Sequence, residues 1–172
     1  MIEAVARKAW SRTPLGPASA WPDSLRAAVS ICLHSHFPMM ILWGRDLVVI
    51  YNDAYRPVLG DKHPEALGLP VSVVWEEIWP TIGPMLHGVL DKGVATRGDD
   101  LLLALRRRGF LEECYFTFSY SPIRAEGGST GGVFIAVLET TERVVNERRL
   151  KALSALGARL PQSRDKTGKL EL

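Results

Sequence analysis

The chain lacks the features that mark a disulfide scaffold, a zinc site or a membrane span. It has two cysteines, Cys32 and Cys114, and no Cys-x-x-Cys or His/Cys cluster with zinc-ligand spacing. The longest apolar runs, 37–43 and 133–138, have the length of a strand and fall well short of the roughly 20 residues of a membrane helix. Residues 1–4 lack the basic-then-apolar order of a signal peptide, so we expect free thiols and a cytoplasmic location.

The chain also has almost no excess of one charge over the other. The formal net charge is +2, and the basic clusters Arg106–Arg108 and Arg148–Arg149 are too short for a phosphate-binding stripe. We interpret both clusters as solvated surface and expect no nucleic-acid partner and no membrane contact. The sequence offers no nucleophile–base pair, no paired carboxylates and no metal cluster, so we expect no catalytic residues and no enzyme activity in this segment.

What is present is the composition of one globular domain with short flanking helices. The 172 residues are 47% hydrophobic and 23% charged. Strands and helices are segregated along the chain, which favours an α+β fold with an antiparallel sheet. The patterns predict helices at 1–10 and 22–34, a hairpin at 39–43 and 47–51, a helical region at 73–92 broken near 79–84, strands at 96–105, 112–123 and 131–140, and a helix from 141.

Several segments resemble a PAS (Per-Arnt-Sim) domain of the kind found in bacterial histidine kinases. The matching stretches are Leu47–Tyr55, Phe116–Ile123 and Gly131–Phe134, together with the pair Gly60 and Gly68. Glu139-Thr140-Thr141 is similar to the Asp-Ile-Thr motif that ends many PAS domains, with glutamate in place of aspartate. The segment from Trp10 to Arg26 resembles the lead-in of such sensors. The resemblance covers roughly residues 10–156, most of the chain.

The resemblance implies a five-stranded antiparallel sheet with helices on one face around a central cavity, an N-terminal helical lead-in and a C-terminal exit helix. The expected parts are the lead-in 1–36, the PAS core 37–141, the exit helix 142–160 and a flexible tail 161–172. It also implies a sensory role: a PAS module binds a small ligand, or dimerises, and relays the change to an output domain such as a histidine kinase. That output domain lies in the same parent protein or in a partner.

Apolar residues of the hairpin, the broken helix and the later strands are the candidates for the ligand cavity. They are Met39, Ile41, Val49, Tyr51, Trp75, Ile78, Trp79, Ile82, Met85, Leu86, Leu103, Phe116, Phe118, Phe134 and Ala136. Apolar pockets with few polar groups are the usual form of a ligand site. The alternative is that these side chains fill their own core, which would leave a constitutive dimerisation or interaction module without a ligand.

Two further predictions concern the relay. Glu139 and Thr141 are expected to tie the last strand to the exit helix, either as a signalling junction or as an ordinary helix cap. The apolar residues of the exit helix come close to a short heptad seam, which predicts a homodimer supported by the terminal helices. These residues are Val145, Leu150, Leu153, Leu156 and Leu160.

The cofactor is not identified by the sequence. His87 lies on the helix that carries the iron ligand in haem-binding PAS proteins, but its helical phase favours a surface position, so a haem-based gas or redox sensor is the weaker alternative. Flavin photochemistry in such domains needs an Asn-Cys-Arg-Phe-Leu-Gln motif, and no cysteine lies between Tyr55 and Gly68. No metal is assigned to any histidine.

Overall fold

The computed structural model describes residues 1–157, which fall into two units. Met1–Thr141 form the first unit, and the second begins at Glu142. Each is described by itself. The predicted seam residue Leu160 and the predicted tail 161–172 lie outside the described residues.

The elements follow the order expected from the sequence. The helices are α1 (Ile2–Arg7), α2 (Asp23–His34), α3 (Arg56–Leu59), α4 (Val71–Val74), α5 (Trp79–Lys92) and α6 (Thr141–Gly157). The strands are β1 (Met39–Trp43), β2 (Val48–Tyr51), β3 (Thr96–Arg106), β4 (Leu111–Arg124) and β5 (Thr130–Glu139). Within the described residues, no helix has the length and apolar character that a membrane span requires.

The strands form one antiparallel five-stranded sheet in the order β2-β1-β5-β4-β3. The first strand pairs with the last, so that Ile41 lies opposite Phe134, and β3 lies at one edge. This arrangement confirms the predicted α+β fold class and the five-stranded sheet.

Both faces of the sheet's centre are covered. On the inner face Met40 points toward the helices that follow β2, whereas its neighbour Ile41 points to the opposite face. Ile41 is nevertheless fully buried, and α2 is the helix that packs on β1, β2 and β4. The lead-in helix α2 therefore covers part of the outer face.

The predicted break in the main helical region is present and lies slightly earlier than expected. The short helix α4 ends at Val74, and α5 begins at Trp79, so that Pro80 occupies its first turn, where the missing amide costs little. Pro84 remains inside the helix. Gly93 ends α5 in the left-handed conformation at φ 62°, as the sequence predicts.

The lead-in segment is held by a pair of tryptophans. The rings of Trp10 and Trp21 meet edge to face with their centroids 4.9 Å apart. Trp10 Nε1 donates a hydrogen bond of 2.8 Å to the carbonyl of Val5 at the end of α1. Both rings are buried in the hydrophobic core, so they anchor the lead-in segment to it.

Helix α6 carries an exposed apolar stripe. Leu150, Leu153 and Leu156 each expose more than half of their surface, and Val145 is half-buried. No residue of α6 among those described is buried. The exposed leucines therefore span about two helical turns.

Candidate functional site

The inner face of the sheet and the helices opposite it enclose one small cavity. Its volume is about 40 Å³. Cavities that hold drug-sized ligands measure about 300–1,000 Å³, and a water molecule needs about 10–15 Å³ on the same scale. The cavity as it stands has room for a few water molecules or a diatomic molecule, and the core is otherwise filled.

Fifteen residues line the cavity, and none of them is charged. They are Met40, Tyr55, Val58, Val71, Trp75, Ile78, Ile82, Leu86, Leu103, Leu105, Phe116, Phe118, Tyr120, Ile135 and Val137. Burial raises the pKa of both phenols, Tyr55 and Tyr120, so these stay neutral at any physiological pH. The lining therefore offers apolar contacts and neutral polar groups only.

About half of the predicted cavity residues do line it. Those found in the lining are Trp75, Ile78, Ile82, Leu86, Leu103, Phe116 and Phe118. Those outside it are Met39, Ile41, Val49, Tyr51, Trp79, Met85, Phe134 and Ala136. Tyr51 instead binds His63, with its hydroxyl 2.8 Å from Nδ1, and burial raises the pKa of Tyr51 to about 12.

For four of these residues the prediction is wrong because it chose the opposite face of a strand. Met39 and Ile41 on β1 pair with Ala136 and Phe134 on β5, and all four point to the outer face. The residues that reach the cavity are their neighbours on the same strands. Because side chains alternate along a strand, an error of one position moves a whole set to the other face.

The predicted junction residues do meet, at the end of β5. Thr141 Oγ1 donates to Glu139 Oε1 at 2.9 Å and accepts a hydrogen bond of 3.0 Å from the amide of Tyr115. The Thr140 amide donates to the Tyr115 carbonyl at 2.8 Å. These contacts fix the backbone where α6 begins.

The residue at the centre of these contacts, Arg107, was not predicted from the sequence as a site residue. Its guanidinium binds both oxygens of Glu139, at 2.8 and 2.9 Å, and its Nε donates to Glu112 at 3.3 Å. Arg107 is only 6% exposed, so its interpretation as solvated surface was wrong. A run of three arginines carries no signal of which one is buried. We call Arg107, Glu112, Glu139 and Thr141 the junction network.

The ion pair shapes the titration of both partners. The hydrogen bonds from Arg107 lower the pKa of Glu139, against the opposing effect of burial. The same contact raises the pKa of Arg107. Bidentate arginine–carboxylate pairs are among the stronger polar contacts in proteins, so the junction is rigid while Glu139 is ionised.

The backbone of Arg107 is anchored as well. Its carbonyl accepts a hydrogen bond of 2.8 Å from the amide of Asp61. Gly60 makes this approach possible: it has φ 57°, and a Cβ there would lie 2.2 Å from the Arg107 oxygen. The junction network is therefore connected to the segment that follows α3, which borders the cavity through Val58.

Asn52 is the polar residue that shapes the start of the sheet. It is fully buried, and its Oδ1 accepts from the amides of Met39 and Tyr55, each at 3.1 Å. Its Nδ2 donates to the carbonyls of Ser35, at 3.0 Å, and Phe37, at 2.7 Å. Asn52 therefore caps the helical turn that begins at Asp53, and its side chain also joins the end of α2 to β1.

Neither a histidine nor a cysteine lines the cavity. His87 is exposed on α5, where its ring meets Trp79 at 5.7 Å, and it does not line the cavity. The described residues contain no group of three or more metal-ligating side chains. The cavity, at about 40 Å³, is smaller than the tricyclic ring of a flavin.

Known structures share this architecture. A PAS domain from Colwellia psychrerythraea superposes with a TM-score of 0.53 at 15% identity, over 70% of this chain and 99% of that one. The chain has a PAS fold. An RNA-binding light-oxygen-voltage receptor matches with a TM-score of 0.54 at 20% identity over 85% of this chain, and the phage VqmA–DPO complex with 0.53 at 18% over 77%.

At these sequence identities the similarity to known structures shows the fold alone. The chain spans 42% of the length of the light-oxygen-voltage receptor and 59% of the phage protein. No protein-family model and no curated protein matches the sequence.

Proposed function

We propose that this PAS domain is a sensory, signal-transducing module that relays a change in its core through α6 to an output domain such as a histidine kinase. The observation that carries the proposal is the junction network. It joins the buried Arg107 to Glu139 and Thr141 at the point where the sheet ends and α6 begins. A change that moves the segment around Gly60 acts on the same arginine through its carbonyl.

The relay proceeds through helix packing. Leu150, Leu153 and Leu156 lie three residues apart on α6 and are exposed. Burying them against a second copy removes apolar surface from water, and such a short seam is marginal alone. We propose a homodimer whose α6 geometry is the output. We assign no reaction to this chain, and kinase activity would belong to another domain or partner.

Hydrogen exchange monitored by mass spectrometry tests the relay. We expect Glu139→Gln to speed exchange in residues 141–157 while β1 and β2 keep the protection of the wild type. Glu147→Gln is the matched control, because Glu147 pairs with Arg143 on the exposed surface of α6 at 2.9 Å. Equal exchange in both variants would show that the junction network does not govern α6.

Ligand binding in the cavity is the second candidate function. The two phenols of Tyr55 and Tyr120 in an otherwise apolar lining would orient a small neutral molecule, and no lining charge is present to stabilise an anion or a cation. The volume of about 40 Å³ favours instead a filled core with helix packing as the signal.

Native mass spectrometry with a visible absorption spectrum separates these two forms of the proposal. A mass that corresponds to whole copies of 19.0 kDa and a spectrum without visible bands support the filled core. A stoichiometric extra mass would make the cavity a ligand site, and a haem band would return His87 to consideration.

A further inference from the structure

The outer edge of β3 is an open hydrogen-bonding edge. Among the described residues, β3 pairs with β4 alone and ends the sheet. Its second half, Leu101–Arg106, is apolar apart from its last residue, and the side chains of Leu102 and Ala104 are exposed. Long apolar edge strands tend to pair with another strand unless something blocks them.

Two contacts show which backbone groups point off this edge. The amide of Arg106 donates to Glu77 Oε1 at 2.8 Å, away from β4. Tyr115, which faces Leu102, directs its own amide and carbonyl toward the side of β5, to Thr141 and Thr140. Because alternate residues of an antiparallel strand point the same way, the N–H and C=O groups of Leu102 and Ala104 both face outward.

Glu77 limits the edge at one end. Lys62 Nζ donates to the two carboxylate oxygens of Glu77 at 2.7 and 2.8 Å. Burial alone would raise the pKa of Glu77. The hydrogen bonds from Lys62 and from the Arg106 amide outweigh burial and lower that pKa. The other end is limited by the bulge between Gly98 and Leu101, which contains Asp99 and Asp100. Leu102 and Ala104 are the regular stretch in between.

We propose that this edge is an interface with a second copy of the same chain, paired antiparallel about a two-fold axis at Leu103. In that register Leu102 of each copy lies opposite Ala104 of the other. The N–H and C=O groups of both residues, four outward-facing groups on each strand, then all have hydrogen-bond partners. The register also places Asp100 of the bulge opposite Arg106 of the second copy at both ends, whereas Asp99 is paired with Arg97 of its own strand at 2.6 Å.

The two neighbouring registers are less favourable. With the two-fold axis at Leu102, Ala104 lies opposite the irregular bulge of the second copy. With the axis at Ala104, Leu102 lies opposite Arg106, whose amide is already bound to Glu77.

This interface is independent of the proposed role of α6, and the two can be tested apart. The measurement is the molecular mass of the full chain by sedimentation equilibrium across a range of concentrations. Ala104→Pro removes an outward-facing N–H and leaves the ladder with β4 intact. In the Leu153→Lys background, where the proposed α6 seam is disrupted, we expect it to weaken dimerisation at least tenfold, with unchanged urea unfolding of the monomer. Leu153→Lys, on α6, is the comparison variant and should not affect edge pairing.

Reversing the charge of Arg106 checks the register and does not depend on proline being accepted. Arg106→Glu should weaken the dimer because it places a carboxylate opposite Asp100, and Arg106→Lys, which keeps the charge, should leave the dimer unchanged. In the wild-type dimer the amides of Leu102 and Ala104 should exchange more slowly as concentration rises. A chain that stays monomeric at every concentration, or a dimer abolished by Leu153→Lys and unaffected by Ala104→Pro, would overturn the proposal.

Discussion

Removing the charge of Glu139 is the most informative perturbation of the junction. Arg107 is 6% exposed, so Glu139→Gln leaves a buried guanidinium with only Glu112, at 3.3 Å, and Glu112 keeps one buried oxygen without a hydrogen-bond partner among the described residues. Breaking a fully buried ion pair costs about 3–5 kcal/mol. The Glu139 side chain is 30% exposed, so solvent offsets part of this and we expect a loss of about 1–3 kcal/mol.

The assay is urea and thermal unfolding. For a chain of this length about 1 kcal/mol corresponds to about 2–4 °C, so the midpoint should fall by about 2–12 °C. Glu147→Gln, at an exposed pair, should stay within about 0.5 kcal/mol of the wild type. Combining Glu139→Gln with Arg107→Met removes both charges and should cost less than the sum of the two single changes.

Acid supplies an independent check of the same reasoning. The folded state lowers the pKa of Glu139, so its contribution is complete above the ordinary glutamate value of about 4.3 and is lost as the pH falls through the folded value. The stability difference between wild type and Glu139→Gln should therefore shrink below about pH 4. A Glu139→Gln protein as stable as the wild type at pH 7 would refute the argument for a buried, paired arginine.

Three further outcomes follow from contacts described above. Asn52→Ala should cost at least about 2 kcal/mol in urea unfolding, because four backbone groups, that of Tyr55 buried and those of Ser35, Phe37 and Met39 part-buried, lose their partner; a loss below about 1 kcal/mol would contradict this. Gly60→Ala should be about as severe, since its Cβ would overlap the Arg107 carbonyl and φ is positive; an unchanged unfolding midpoint would show that the loop shifts freely. Cys32 and Cys114 should resist thiol reagents in the native state, because burial raises both pKa values, that of Cys32 to about 12; rapid modification of the native protein would count against it.

How far the sequence predicts the site depends on the strand. On β4 apolar and polar residues alternate because one face alone is buried, and Phe116 and Phe118 were placed in the cavity correctly. On β1 and β5 the residues are apolar on both faces, since α2 covers the outer one at Ile41. A continuous apolar run does not indicate which of its residues face the cavity and which face the opposite side of the sheet.

Polar contacts between residues far apart in the sequence were the other feature that could not be predicted. The pairing of Glu139 with Thr141 is local and was expected from the motif. The partner Arg107 comes from a hairpin turn 32 residues away, and its burial depends on Gly60 and Asp61 approaching from a third segment. Spacing along the chain cannot reveal such a meeting, whereas the elements themselves, set by local periodicity, were placed to within a few residues.

The sheet order has a consequence for how the chain is made. Strand β5 lies between β1 and β4 and is the last of the five strands to be synthesised. Met39 of β1 can therefore pair with Ala136 of β5 only after residue 136 has left the ribosome. Until then the chain holds two separate hairpins, each with an unpaired edge. At about 5–20 residues per second this interval lasts several seconds or more, and the unpaired edge of β1 is exposed to aggregation during synthesis.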